Sequence, residues 1–204
     1  KTAMSGRVIV VGLGAADPAQ ITPQVTEAIN HATDIIGYIP YIDRIIPKQG
    51  ARLHPSDNRV EIERAEHAIT LAQAGRIVLI VSSGDPGVFA MAAALFEALE
   101  KNLQKWQDID IEILPGITAM LAAAALVGAP LGHDFCVINL SDNLKPWSII
   151  EKRLLGAVEA DFAMAFYNPR SKSRPEGFEK TLKLLQSQCD PDRPVIFARA
   201  VTTK

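Results

Sequence analysis

The sequence predicts an α/β fold, and three observations predict it: predicted strands and helices alternate, the strands are unbroken apolar runs, and glycine or proline closes most of them. Runs such as Val8 to Val11 and Ile77 to Val81 belong in a parallel sheet buried on both faces, because parallel crossovers lay helices over the sheet. With 204 residues and 48% hydrophobic content, the chain holds one large or two small packed domains rather than a disordered segment.

In chain order, Arg7 to Leu13 reads as a buried strand running into glycine, and Thr22-Pro23 supplies an N-cap with proline at the first helical position. Asp34 to Tyr38 is a second strand. Ile62, Ala65, Ile69 and Ala72 recur at spacings of three and four, the buried stripe of a helix closed by Gly75. Arg76 to Ser82 is a strand, residues 88 to 100 a helix rich in alanine and leucine, and Ile109 to Leu114 a further strand. Residues 117 to 127 form a helix almost without charge, expected to be buried on most sides and stopped by Gly128. The Gly128-Ala129-Pro130-Leu131-Gly132 segment is the best linker, which gives domains 1–129 and 130–204. Beyond it come strand Phe135 to Leu140, helix 147 to 160 with Trp147, Ile150, Leu154 and Val158 as its stripe, strand Phe162 to Tyr167, helix 176 to 187 and strand Val195 to Ala200.

Composition removes several function classes. A formal charge of −2 with mixed signs lacks the basic excess of a nucleic-acid binder, so no nucleic-acid partner is expected. No apolar run nears the roughly 20 residues that span a bilayer, and no apolar stretch precedes Arg7 as a secretory signal would; no membrane partner and a cytoplasmic address are expected. Cys136 and Cys189 form no metal-ligand or redox pattern.

Ligands of open α/β sheets sit beyond the carboxyl ends of the strands, so the chemistry is sought in the loops that follow them. Five are unusual: Gly12–Asp17, Ser82–Gly87, Leu114–Thr118, Ser141–Pro146 and Tyr167–Lys172, three of them carrying glycines that let backbone approach a ligand. Gly12-Leu13-Gly14 lacks the third glycine of a dinucleotide fingerprint, and Tyr38 occupies the strand end where an acidic ribose ligand is expected. No Gly-Lys-Ser/Thr sequence and no GxSxG occurs, which disfavours a P-loop and a nucleophile elbow. Of the four histidines, His31 and His67 fall on predicted helices, while His54 and His133 lie in loops.

Val11-Gly12-Leu13-Gly14, Ser83-Gly84-Asp85-Pro86-Gly87-Val88-Phe89 and Pro115-Gly116-Ile117-Thr118-Ala119, in this order and spacing, resemble the motif set of the tetrapyrrole (corrin and porphyrin) methylases. His133-Asp134-Phe135, Leu140 to Trp147 and Phe166 to Ser171 look like the branch that methylates C-17 of precorrin-3B, or of its cobalt-containing counterpart, in cobalamin biosynthesis. The resemblance covers essentially the whole chain. It implies two α/β domains with S-adenosylmethionine in the cleft between them, a tetrapyrrole substrate, and a homodimer. Carried over by position, it implies cofactor contacts by Gly84, Asp85, Pro86, Phe89, Thr118, Ala119, Tyr167, Asn168 and Ala200. Two departures stand out. Ala15-Ala16 replaces the family's Pro-Gly, and the chain ends at Thr203-Lys204 where relatives continue, which leaves the implied second domain incomplete.

The implied reaction is methyl transfer with ring contraction and requires no metal or covalent nucleophile. Asp85, Asp142, His133 and Tyr167 are the acid–base candidates at loop edges. Lys145, Arg170, Ser171 and Arg174 are the candidates for binding the substrate's acetate and propionate groups, with Lys172 beside them. Two alternatives stay open: another methyltransferase of the same fold, acting on a different corrin position or on RNA, and a protein that binds the cofactor or a tetrapyrrole without turnover.

Overall fold

A computed structural model describes residues 6–57, 60–106, 108–170, 172 and 174–203. The chain divides into two compact units, Lys1–Ala122 with Ala200–Lys204, and Ala123–Arg199. The α/β class read from the sequence is the one observed.

The first unit is built on β1 (Arg7–Gly12), β2 (Asp34–Tyr38), β3 (Arg52–Ser56), β4 (Ile77–Ser82) and β5 (Asp110–Leu114), all parallel in the order β3-β2-β4-β1-β5. Its helices are α1 (Pro23–His31), α2 (Ile39–Ile42), α3 (Glu61–Gln73), α4 (Met91–Lys101) and the first half of α5 (Ala119–Leu126). Successive strand residues face opposite sides, so one sequence feeds two cores. Val8, Val10, Ile36, Val78 and Ile80 pack with Ala65, Ile69 and Leu95 of α3 and α4. Ile9, Val11, Ile35, Leu79 and Val81 pack on the other face with Val25 and Ile29 of α1. As the Thr22-Pro23 pair predicts, Thr22 Oγ1 caps α1 by accepting the Val25 N–H at 3.3 Å.

In the second unit β6 (Phe135–Asn139) and β7 (Ala163–Tyr167) pair in parallel, and α6 (Trp147–Glu159) and α7 (Glu176–Gln188) follow them. Ile138, Leu140, Ile150, Leu154 and Ala157 are its buried core. Among the described residues no helix is long and apolar enough to cross a membrane.

Two expectations are corrected. Only Ala122 is buried in α5, and Leu121 and Leu126 are exposed. Its lack of charge reflects the high helix propensity of alanine, whose methyl group carries little area to bury. Val195 to Ala200 forms no strand; Val195, Ile196 and Phe197 are exposed. Strand propensity describes a side chain on a pleated, half-buried surface, and this segment pairs with no strand among the described residues.

Candidate active site

The carboxyl edge of the first sheet gathers three glycine loops. The loop after β1 meets the loop after β4: Gly14 N–H donates to the Gly84 carbonyl at 3.1 Å, and Gly84 N–H donates to the Gly14 carbonyl at 2.9 Å. Both glycines lie in the left-handed region, Gly14 at φ 70° and Gly84 at φ 60°, where other residues are strained. Gly12 and Gly116 flank the Gly84 carbonyl so closely that a Cβ on either would stand 2.4 Å or 2.2 Å from its oxygen. Backbone-on-backbone packing of this kind is why three separate loops carry glycine.

Asp85 ties two of these loops together. Its Oδ1 accepts the Gly116 N–H at 3.0 Å and its Oδ2 accepts the Gly87 N–H at 2.8 Å. Both oxygens are thus committed to backbone donors, an arrangement that fixes loop shape. Charge-assisted bonds of this type contribute about 1.5–3 kcal/mol each. Asp85→Ala is therefore expected to weaken ligand binding at this edge by at least about tenfold, read by calorimetric titration, and Asp85→Asn, which keeps one acceptor oxygen, should lose less. Equal binding by both variants would remove Asp85 from the site.

The structure brings Gly84, Thr118 and Ala119 together: the side-chain space of Gly84 opens toward Thr118 Cα at 3.5 Å, Ala119 N at 3.8 Å and Thr118 Oγ1 at 3.8 Å. Thr118 is buried, and its carbonyl accepts the Ala122 N–H at 3.1 Å, which starts α5. Pro86 is buried in the same loop, and its carbonyl accepts the Ala92 N–H at 3.0 Å, which leads the chain into α4. Phe89 holds a left-handed backbone at φ 52° with its ring half exposed. Such a conformation in a bulky residue costs about 1–3 kcal/mol and concentrates at functional sites. Ala200 is also left-handed, at φ 48°, within a turn where Thr203 N–H donates to its carbonyl. The next residue but one, Thr202, accepts the Asp17 N–H at 3.0 Å and so anchors this turn to the segment after the first glycine loop.

The carboxyl edge of the second sheet carries side-chain hydrogen bonds of its own. Asn168, left-handed at φ 50°, donates from Nδ2 to Asn139 Oδ1 at 3.1 Å, and the same oxygen accepts the Ser141 N–H at 3.0 Å. Tyr167 is half-buried at the end of β7, its carbonyl accepting the Leu140 N–H at 2.9 Å. Lys145 Nζ donates to the Ser141 carbonyl at 3.0 Å, and Arg174 pairs with Asp142 at 3.3 Å. Burial lowers the Lys145 pKa, the nearby charges of Arg153 and Arg174 lower it further, and Asp142 opposes them. Arg170 and Lys172 are exposed, and Ser171 lies outside the described residues. His133 is exposed before the amino end of β6, so about 16 Å of strand separates it from the loop carrying Asp142.

One residue of the first edge was not singled out from the sequence. Arg44, after α2, donates from Nη2 to the carbonyls of Leu13 at 2.8 Å and Gly14 at 3.1 Å. The signal that points to it is position: the loop after β2 opens on the same edge as the glycine loops.

The chain is 51% identical over 97% of its length, and 78% of the relative's, to "Precorrin-3B C(17)-methyltransferase" of Sinorhizobium sp. It is 40% identical over 94% of its length to "Cobalt-factor III methyltransferase" of Priestia megaterium, of which it spans 36%. A crystal structure of the methyltransferase CobJ superposes with a TM-score of 0.94 at 63% identity, covering 98% of this chain and 83% of that one. A family signature described as Tetrapyrrole (Corrin/Porphyrin) Methylases matches residues 7–204. The chain that builds this three-glycine edge belongs to the tetrapyrrole methylases.

Proposed function

We propose that this chain transfers a methyl group from S-adenosylmethionine to C-17 of precorrin-3B, with contraction of the macrocycle, in cobalamin biosynthesis. The observation that carries the reading is the contact of Gly12, Gly84 and Gly116, in a chain related along nearly its whole length to a protein of that name. The first edge fits the cofactor: Gly84 admits backbone approach, Thr118 and Ala119 offer a helix start to a polar end group, and the Phe89 ring suits a purine. S-adenosylmethionine, when bound, supplies a methyl group on an electrophilic sulfonium.

The chain's own contribution is then positional. Gly84, Asp85, Pro86, Phe89, Thr118, Ala119 and Ala200 hold the cofactor side in this reading, with Asp85 fixing the loops rather than moving a proton. The resemblance assigns Tyr167 and Asn168 to the cofactor as well. Lys145, Arg170 and Arg174 face the acetate and propionate groups of the tetrapyrrole, where charge-assisted bonds orient the ring. Among the acid–base candidates this reading takes Tyr167, which ends β7 beside Asn168, whereas His133 stands apart from that loop. The same reading takes the protein to act as a homodimer in the cytoplasm.

The test is calorimetric titration with S-adenosylhomocysteine, followed by turnover of precorrin-3B and cobalt-factor III in parallel. Saturable binding, weakened in Thr118→Val, with faster turnover of precorrin-3B is the expected result. Binding without transfer to either substrate would convert the reading to a binding protein. Faster turnover of the cobalt form would move it to the other branch.

A further inference from the structure

We infer that Arg44 is the positioning residue of the cofactor edge: its guanidinium sets the glycine loop after β1 and, through Gly14, the Gly84 loop. The inference rests on the cofactor reading above.

Three hydrogen bonds meet at two atoms, the Gly14 oxygen and Arg44 Nη2. The Gly14 carbonyl accepts the Gly84 N–H at 2.9 Å and Arg44 Nη2 at 3.1 Å, so its two lone pairs join the two loops to one cation. The second hydrogen of the same Nη2 goes to the Leu13 carbonyl at 2.8 Å. In an extended strand successive carbonyls point to opposite sides, and one nitrogen could not bridge them; the left-handed backbone of Gly14, at φ 70°, turns them to the same side. The diverging N–H pair of a planar guanidinium matches two such acceptors, which a lysine ammonium at the end of a flexible stem does not hold in fixed geometry.

The loop's own side chains do not set its backbone. Ala15 and Ala16 bring neither a proline ring nor a β-branch to restrict the backbone. The Leu13 side chain is fully buried, so the loop is anchored on its strand side, and beyond Gly14 the next tie is the Asp17 cap. Arg44 itself is held: its N–H donates to the Tyr41 carbonyl at 3.1 Å at the end of α2, and burial lowers its pKa, the mark of a guanidinium drawn out of water. The chain of contacts runs from Arg44 to Gly14, to Gly84, and to Asp85, which grips Gly116. Arg44 thus acts on the cofactor without touching it.

The experiment compares wild type, Arg44→Met and Arg44→Lys by hydrogen exchange and by titration with S-adenosylhomocysteine. Loss of a charge-assisted bond to a buried carbonyl corresponds to about a tenfold change in an equilibrium. The Gly14 and Gly84 amides should exchange about tenfold faster in Arg44→Met, with amides inside β1 and β4 unchanged. The dissociation constant should rise by a similar factor, Arg44→Lys should recover part of it, and in turnover the loss should fall on KM rather than kcat. Methylguanidinium added to Arg44→Ala should restore binding, which a variant that merely misfolds would not show. Unchanged exchange at Gly14 and Gly84 overturns the inference whether or not the wild type binds the cofactor. Wild type that fails to bind, with exchange altered as expected, would instead sink the cofactor reading and leave Arg44 as the loop's tether.

Discussion

Gly116→Ala is expected to abolish detectable S-adenosylhomocysteine binding, a loss of at least about a hundredfold, while the protein stays folded. The added Cβ would stand 2.2 Å from the Gly84 oxygen and 2.8 Å from both the carbon and the oxygen of Gly12. All three are backbone atoms, so no rotamer relieves the clash, and the loops must separate by roughly an ångström to reach ordinary contact distances. That displacement breaks the Gly116 bond to Asp85 and the Gly14–Gly84 pair together. The two apolar cores lie mostly along the strands and the α1, α3 and α4 faces, with Leu13 and Leu114 reaching this edge, so near-UV circular dichroism should be largely retained. Gly156→Ala supplies the control. Nothing lies within 4 Å of its Cβ position inside α6, so the change should leave binding intact and stabilise the helix by about 0.5–1 kcal/mol. Retained binding in Gly116→Ala would show that the three loops do not form the cofactor site.

How far the sequence carried this picture depended on the range of the signal. β1 and β4 were legible because continuous apolar runs announce strands buried on both faces. β3 was not, because Arg52-Leu53-His54-Pro55-Ser56 includes a proline and polar residues; it lies at the sheet edge, where a missing N–H is tolerated. Val195 to Ala200 shows the converse error, a strand-like composition without a strand beside it. In the site, Gly84-Asp85-Pro86 could be read as a motif, but that Gly12 and Gly116 close on either side of one carbonyl is a contact between loops distant in sequence. Arg44 was illegible for the same reason: a single arginine in a loop carries no pattern until its two acceptors are seen.

The largest expected loss of stability comes from Asp34, and it arises at the opposite end of the sheet. Its side chain is fully buried at the amino end of β2, where Oδ2 accepts Arg76 Nε at 2.6 Å and Thr33 Oγ1 at 2.8 Å, and Oδ1 meets His54 Nε2 at 2.9 Å. Burial alone would raise its pKa, but the bonds from Arg76, His54 and Thr33 outweigh it and hold the carboxyl at about 2, against 3.8. A folded-state value below the unfolded one means that the stabilisation, about 2 kcal/mol, is complete above the unfolded pKa. It is lost as pH falls through about 2. Asp34→Asn approximates the protonated carboxyl and should cost about the same 2 kcal/mol at neutral pH. Asp34→Ala leaves the Arg76 guanidinium without its carboxylate and should cost about 3–5 kcal/mol, or roughly 10 °C in melting temperature. His67, whose ring packs against His54 at 4.9 Å, has its pKa lowered first by burial and then by that neighbour. Its protonation therefore erodes stability at a higher pH, as the solution falls through the ordinary histidine range, and both Asp34 variants should retain some of that loss. The acid limb between pH 4 and 2 is the discriminating region: wild type should lose stability there and Asp34→Asn should be nearly flat. Parallel limbs for the two proteins, followed by thermal melts at successive pH values, would mean that Asp34 carries no net charge linkage and that the cluster serves packing alone.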